Sequence, residues 1–235
     1  STYQDWKMFF NSSIKNEYLF DLEKQDGYFP FKSENAQGYK TKDLKEFFHI
    51  YRWGRYPSEI SGVTKRVHQD LLNLGLKFLD YLDDYAPDSV RSNFSMKLSD
   101  MINDSGQNLL RVIHYPPVED RDTLDGSIRA EAHTDINLIT ILIAEPGLQV
   151  IDSSGEWVDV DLPDNSIVVN IGDMLQKCSK GFYKSTVHRV INPINNNVSR
   201  YSMPLFIHPR DEVRLSDDLT AKQYLEQRLK EIGLK

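Results

Sequence analysis

The sequence predicts a mainly β protein whose core is a sandwich or jelly roll, with helices packed around it. Two observations lead to this fold class. From residue 107 to 210, short apolar segments recur about every ten residues, separated by turn signals such as "EPG", "DSSGE" and "LPDN". Residues 1–106 instead read mainly as helix. The 235 residues fit one large domain, and we expect a single domain over 1–235.

The helix-rich part, residues 1–106, is dominated by one long predicted helix. Over residues 63–85, apolar side chains at spacings of three and four predict one buried stripe, formed by Val67, Leu71, Leu74, Phe78 and Leu82. Pro87 ends this helix, and a short helix follows, which residues 96–106 continue until Gly106.

The predicted β-core, residues 107–210, consists of short strand segments with turns between them. These segments are "NLLRVIHYP", "LITILIA", "LQVID", "EWVDVD", "SIVVNIG", "TVHRVIN" and "RYSMPLFIH". An amphipathic C-terminal helix over residues 217–235 follows, with an inward face made of Tyr224, Leu225, Leu229 and Ile232.

The charge balance and the single cysteine limit the classes of function. With 28 basic and 35 acidic residues, the net charge of −7 argues against nucleic acid or a membrane surface as a partner. Cys178 is the only cysteine, so an intramolecular disulfide is excluded and a reducing, cytoplasmic location is favoured. No apolar run approaches the roughly 18 residues of a membrane span, and the first residues do not resemble a signal peptide.

A candidate metal site begins with the pair His133 and Asp135. Residues two apart on a strand point to the same face, so both side chains can reach one ion. His188, 53 residues after Asp135, is the best candidate for a third ligand. Two histidines and one carboxylate form the triad typical of non-haem Fe(II), whereas a structural zinc site would use four ligands.

The metal interpretation has open alternatives at the third position. An isolated HxD pair is a weak signal, and a lone histidine on a strand is more often structural. His49 and His68 fall in the helical half, which counts against them, whereas the spacing of His114 and His208 does not exclude either.

A candidate anion site lies further along the chain. Arg200 and Ser202 are two apart on one predicted strand, and a guanidinium beside a hydroxyl suits a carboxylate. Arg200 follows His188 by 12 residues, the distance of a hairpin, and Tyr115 could add a hydroxyl donor. A co-substrate that chelates the metal and carries a distal carboxylate would fit both groups.

The segments "AHTDINLITIL", "GEWVDVDLPDNSIVVNIGDML", "TVHRVINP" and "SRYSMPLFIHP" together closely resemble the isopenicillin N synthase-like Fe(II) oxygenases, most of which depend on 2-oxoglutarate. The likeness covers roughly residues 108–210. It implies a double-stranded β-helix (jelly roll, cupin-like) core. Fe(II) would be held by His133, Asp135 and His188, with 2-oxoglutarate and O₂ as co-substrates and ascorbate as an auxiliary reductant.

The resemblance also implies roles for single residues. The distal carboxylate of 2-oxoglutarate would bind Arg200 and Ser202, and Tyr115 would reach the other end of the co-substrate. Phe206 would line the substrate pocket, although a core role fits it as well. Many members carry Asn where this chain has Ile113. The family usually begins with a further strand and helix, and we expect that this sequence lacks them.

The implied activity is oxidation of a C–H bond of a small molecule by hydroxylation, desaturation or cyclisation, with release of succinate and CO₂. The alternatives are an oxidase that uses no 2-oxoglutarate, as isopenicillin N synthase itself, and a non-catalytic binding protein. Arg129 is a candidate anchor for an amino-acid-like or carboxylate-bearing substrate, although an ion pair with Glu131 explains it as well. We expect a monomer or weak dimer.

Overall fold

The computed structural model describes residues 2–34, 38, 40–123, 126–143, 146–163, 166–192 and 197–231. The α-helices are Thr2–Phe10 (α1), Val63–Tyr85 (α2), Asp88–Arg91 (α3), Asp173–Cys178 (α4) and Ala221–Glu231 (α5). The strands are Gly27–Phe29 (β1), Glu46–Ile50 (β2), Leu109–Tyr115 (β3), Ala130–His133 (β4), Ile139–Ile143 (β5), Leu148–Ile151 (β6), Trp157–Asp159 (β7), Ile167–Ile171 (β8), His188–Val190 (β9), Arg200–Ser202 (β10), Leu205–Ile207 (β11), Arg214–Ser216 (β12) and Leu219–Thr220 (β13).

Two antiparallel sheets form the core and make the jelly roll that the sequence predicts. The large sheet has the order β1-β2-β3-β11-β5-β8, and β10 pairs with β3 beside β11. The small sheet has the order β4-β9-β6-β7. Between the sheets, Leu142 of β5 packs in one apolar cluster with Ala130, Leu148 and Val190 of the small sheet. The space between the two sheets is therefore where inward-facing polar side chains can meet.

The long helix α2 has the predicted bounds but buries a different face. Its buried residues are Thr64, His68, Leu71, Gly75, Leu79 and Asp83, and the rest of the predicted stripe is only partly buried. A Cβ at Gly75 would lie 2.0 Å from Cδ1 of Ile207, so a side chain there would force Ile207 of β11 to move. Because small residues carry this contact, an apolar pattern could not find it.

Several sequence-based boundaries are corrected by the structure. The helix-rich part contains the strands β1 and β2, and the predicted helix over 96–106 is wrong, since only a single 3-10 turn, Asp100–Ile102, forms there. The C-terminal helix begins at Ala221 because Leu219–Thr220 pairs as β13, and the predicted inward residue Ile232 lies outside the described residues. Within the described part of the chain, no helix is both long and apolar enough to cross a membrane.

Candidate metal and co-substrate site

Two histidines face each other across neighbouring strands of the small sheet. His133 ends β4 and His188 begins β9, and the two are cross-strand partners with ring centroids 4.4 Å apart. Each Nδ1 lies against a backbone carbonyl two residues earlier, at 2.6 Å from Glu131 O and 3.0 Å from Thr186 O. Donation from Nδ1 leaves the Nε2 lone pair of each ring free, which is the form that a metal ligand needs.

Asp135 brings a carboxylate to the same point. It lies in the loop after β4, so the prediction that it shares a strand face with His133 is wrong in detail. Its Oδ1 is 3.7 Å from His188 Nε2, and one ligand atom from each of the three residues lies within 4.8 Å of the others. Oδ2 is buried and has no hydrogen-bond partner among the described residues. A cation between the three side chains would satisfy this oxygen.

The loop that carries Asp135 is fixed by the start of α4. The Asp173 N–H donates to Asp135 O at 2.8 Å, and the Gly172 N–H donates to Leu138 O at 2.9 Å. A Cβ at Gly172 would lie 2.1 Å from Asn137 O, so this contact requires glycine. Sequence reasoning missed this role, and the available signal was a glycine placed directly between a strand and a helix.

Burial and charge set the protonation of these side chains. Burial, together with the charge of His188, lowers the pKa of His133 to about 4. Burial would raise the pKa of Asp135, but the charges of His188 and His133 outweigh it and lower this pKa. At neutral pH, His133 is therefore neutral and Asp135 is ionised, as metal ligation requires.

The other histidines that the sequence left open do not join the triad among the described residues. Within the described residues, the only group of metal-ligating side chains close enough to share an ion is the triad. His114 is bonded to Glu46 and Ser199, and His49 to Gln25 and Arg111. His208 lines the same cavity as the triad, and burial lowers its pKa to about 4.

The second group of predicted residues lies on the large sheet. Arg200 is the cross-strand partner of Tyr115, and its guanidinium carbon is 5.0 Å from the centre of that ring. Ser202 is buried opposite Ile113. The predicted hairpin between His188 and Arg200 is wrong, because their strands belong to different sheets. The Nε and Nη1 atoms of Arg200 are buried without a hydrogen-bond partner among the described residues.

A cavity of about 530 Å³ opens beside the triad. Its lining includes His133, Asp135, Phe206 and His208, together with residues of the N-terminal part of the chain. Phe206 therefore lines the same cavity as His133 and Asp135. Ile136 also lines it, whereas Leu138 and Ile139 are fully buried behind the loop.

Four charged side chains form one wall of this cavity, and we call them the charged wall: Glu34, Asp43, Lys45 and Arg111. Lys45 Nζ lies 2.8 Å from Glu34 Oε2 and 2.7 Å from Asp43 Oδ2. Arg111 Nη1 lies 3.2 Å from Glu34 Oε2, and Arg111 Nε donates to His49 Nε2 at 2.9 Å. Sequence reasoning did not find the charged wall.

The pairing within the charged wall controls its pKa values. Burial would raise the pKa of Glu34, but the charges of Arg111 and Lys45 hold it well below its usual range. Burial would lower the pKa of Lys45, but Asp43 and Glu34 raise it. The positive charge of Lys45 also lowers the pKa of His133, so this ammonium group is within electrostatic reach of the triad.

Arg129 does not lie where its predicted role as substrate anchor would place it. It is not among the residues that line the cavity, and its guanidinium carbon is 5.9 Å from the centre of the Tyr115 ring. Within the described part of the chain, the alternative ion pair between Arg129 and Glu131 does not form.

Comparison with known proteins identifies the family. Residues 106–209 match the model described as the 2OG-Fe(II) oxygenase superfamily. A Caulobacter crescentus structure described as a 2OG-Fe(II) oxygenase family protein is 31% identical, with a TM-score of 0.80, over 99% of this chain and 85% of that one. This chain belongs to the 2OG-Fe(II) oxygenase superfamily. A Shewanella oneidensis structure assigned as an oxygenase is 43% identical, with a TM-score of 0.87, over 100% of this chain and 85% of that one.

Two further superfamily relatives bear on the co-substrate and on chain length. A full-length Neurospora crassa protein, solved in complex with alpha-KG, is 25% identical, with a TM-score of 0.77, over 97% of this chain and 81% of that chain. The 2-oxoglutarate-dependent dioxygenase citB of Monascus ruber is 41% identical over 45% of this chain, which is 33% of that protein. The match thus spans about a third of this curated relative.

Proposed function

We propose that this protein is a non-haem Fe(II), 2-oxoglutarate-dependent dioxygenase that oxidises a C–H bond of a small molecule and releases succinate and CO₂. The observation that carries the proposal is the pair of unsatisfied groups between the sheets. One is the triad, with the buried and unpartnered Oδ2 of Asp135. The other is Arg200, with two buried and unpartnered N–H groups. The first calls for a cation and the second for an anion.

The triad fits Fe(II) because it offers two imidazole nitrogens and one carboxylate. His133, Asp135 and His188 would hold the ion. When bound, Fe(II) with 2-oxoglutarate and O₂ supplies the oxidising power of the reaction. The protein's part is to hold the ligands still: the cross-strand pairing fixes the two rings, and Gly172 fixes the loop that carries Asp135.

Arg200, Ser202 and Tyr115 would hold the distal carboxylate of 2-oxoglutarate. The guanidinium of Arg200 can donate two parallel hydrogen bonds, and the buried hydroxyl of Ser202 stands two residues away on the same strand. Because the Tyr115 ring lies beside Arg200, we assign it to this end of the co-substrate and not to the opposite end. The alpha-KG complex of the Neurospora relative supports the same co-substrate.

The substrate would occupy the cavity beside the triad and contact Phe206. The charged wall offers two cations and two anions, all paired with one another, so it suits a polar substrate with little net charge. An amino-acid-like zwitterion that carries a carboxylate falls in this class. Phe206 also packs under the Arg111 guanidinium at 5.3 Å, which keeps this wall rigid.

The oxidase that dispenses with 2-oxoglutarate is less well supported. In that case Arg200 and Ser202 would bind a carboxylate of the substrate itself. The 2OG-Fe(II) family match and the intact triad favour the dioxygenase over this oxidase and over a non-catalytic binding protein. A cytoplasmic location and a monomeric or weakly dimeric state belong to the proposal as expectations.

Succinate formation tests the proposed function. The purified protein is given Fe(II), 2-oxoglutarate, ascorbate and O₂, and succinate is measured with and without a panel of amino-acid-like small molecules. We expect slow succinate release from the wild type, faster release with a fitting substrate, and none from His188→Ala. Equal succinate from the wild type and His188→Ala, or none from an iron-loaded wild type, would refute the assignment.

A further inference from the structure

Two arginines share one aromatic ring at the co-substrate end of the core. Arg200 and Arg129 have guanidinium carbons 5.0 and 5.9 Å from the centre of the Tyr115 ring. Arg200 lies on β10 of the large sheet, whereas Arg129 directly precedes β4 of the small sheet. Their side chains therefore converge from opposite sheets, and both residues are more than nine-tenths buried.

Neither arginine has a counter-charge in the described part of the chain. No carboxylate there forms an ion pair with Arg129 or Arg200. The Nε atoms of both residues are buried without a hydrogen-bond partner, as is Nη1 of Arg200. Burial and the nearby charge of Arg200 both lower the pKa of Arg129.

Such an arrangement is costly unless an anion completes it. A buried cation needs a partner, and two buried cations beside one ring repel each other in a medium of low dielectric constant. If Arg129 were only structural, we would expect all of its N–H groups to be bonded within the fold. The Nη2 group of Arg129 is bonded, because it donates to Val198 O at 2.7 Å. The Nε group has no partner among the described residues and is left for a ligand.

We propose that Arg129 is a second guanidinium for the distal carboxylate of the co-substrate, so that the site selects 2-oxo acids that carry a second carboxylate. This inference rests on the proposed function. It moves Arg129 from the substrate, where the sequence suggested an anchor, to the co-substrate. The cavity wall already has its own cations, Lys45 and Arg111, and both are paired.

Arg129 could also have a purely structural role, which must be distinguished from direct binding of the co-substrate. The bond to Val198 O lies two residues before Arg200, so Arg129 also holds the start of β10. Loss of Arg129 could therefore weaken co-substrate binding indirectly, by displacing Arg200, without any contact between Arg129 and the co-substrate. The experiment must show a contribution of Arg129 that remains when Arg200 is gone.

The test measures the dissociation constants of two ligands for the Fe(II)-loaded protein under anaerobic conditions by calorimetry. One ligand is 2-oxoglutarate, and the other is 2-oxopentanoate, which has the same chain length without the distal carboxylate. For Arg129→Gln we expect 2-oxoglutarate to bind roughly tenfold more weakly or worse, and 2-oxopentanoate to be almost unaffected. Arg91→Gln is the control, because Arg91 also donates to backbone carbonyls, those of Asp83 and Ala86 at the end of α2.

The double variant Arg129→Gln/Arg200→Gln decides between direct and indirect action. If Arg129 binds the carboxylate itself, the double variant binds 2-oxoglutarate more weakly than Arg200→Gln alone. Equal affinity of these two variants, or an unchanged affinity of Arg129→Gln, would overturn the inference. Arg129→Lys retains the charge and covers the case in which Arg129→Gln fails to fold. If the wild type itself binds no 2-oxoglutarate, the proposed function fails instead.

Discussion

Two buried charged regions of the molecule differ in how their charges are compensated. At the charged wall, Lys45 and Arg111 are paired with Glu34 and Asp43 at 2.7 to 3.2 Å. At the Tyr115 ring, Arg129 and Arg200 have no carboxylate partner among the described residues. Compensated charges suit a ligand with little net charge, whereas uncompensated ones require an ion of opposite sign.

This difference assigns the two regions to different ligands. The uncompensated pair suits the carboxylate of an anionic co-substrate, and the charged wall suits a polar substrate. The two regions should also stabilise the fold under different conditions. The charged wall should stabilise the fold as it stands, whereas the arginine pair should contribute to stability only when the co-substrate is bound.

The largest effect on stability is expected from Glu34→Gln. The change leaves Lys45 and Arg111 buried with an excess positive charge, so unfolding should become easier by about 3 kcal/mol. The melting temperature should fall by roughly 6–12 °C. Glu119→Gln is the control, because Glu119 pairs with Arg121 at the exposed surface. If both variants melt within about 2 °C of the wild type, the charged wall does not stabilise the fold.

Arg200→Gln tests the uncompensated side. Loss of the guanidinium removes the main partner of the distal carboxylate, so 2-oxoglutarate should bind roughly 100-fold more weakly. Metal affinity should stay the same, and the melting temperature without co-substrate should stay the same or rise, because the removed charge was buried without a partner and repelled Arg129. Calorimetry and differential scanning fluorimetry measure the two quantities. A destabilised variant with normal 2-oxoglutarate affinity would show that Arg200 stabilises the fold and does not bind the co-substrate.

Gly172→Ala tests whether metal binding depends on the loop that carries Asp135. The added Cβ would meet Asn137 O and push the loop that carries Asp135, so metal affinity should fall roughly tenfold. The matched control is Gly62→Ala, where a Cβ meets nothing within 4 Å. Metal titration followed by calorimetry compares them, and equal affinities in both variants would show that the loop is not held at Gly172.

The smallest effect concerns pH and a histidine that belongs to neither region. Burial lowers the pKa of His68 to about 4, so this ring is neutral in the folded protein but takes up a proton below its ordinary pKa when unfolded. Stability should therefore be lost as pH falls from about 6.5 towards 4. Chemical denaturation at several pH values should show a shallower loss for His68→Gln, by up to about 1.4 kcal/mol per pH unit. An unchanged slope would contradict this.

The sequence could point to candidate metal and co-substrate residues because their signals are local. His133 and Asp135 are two residues apart, as are Arg200 and Ser202, and the strand pattern around them is regular. Residues 108–210 also carry the family resemblance. The structure places these side chains between the two sheets, although Asp135 reaches its position from a loop and not from a strand.

The charged wall could not be predicted from the sequence, because its four residues lie in separate segments of the chain. Glu34 and Asp43 precede β2, Lys45 directly borders it, and Arg111 lies on β3. They meet only because β2 pairs with β3, and that pairing depends on a strand of five residues without a strong pattern. The buried face of α2 was missed for a related reason, since Gly75 contributes close approach and no apolar signal.

The most direct test of the central claim is an anaerobic titration of 2-oxoglutarate into the Fe(II)-loaded protein, followed by the visible charge-transfer absorption of the metal–co-substrate complex. We expect the band to appear in the wild type, to persist in Glu34→Gln, and to need far more 2-oxoglutarate in Arg200→Gln. A wild type that binds Fe(II) but shows no band at saturating 2-oxoglutarate would contradict it.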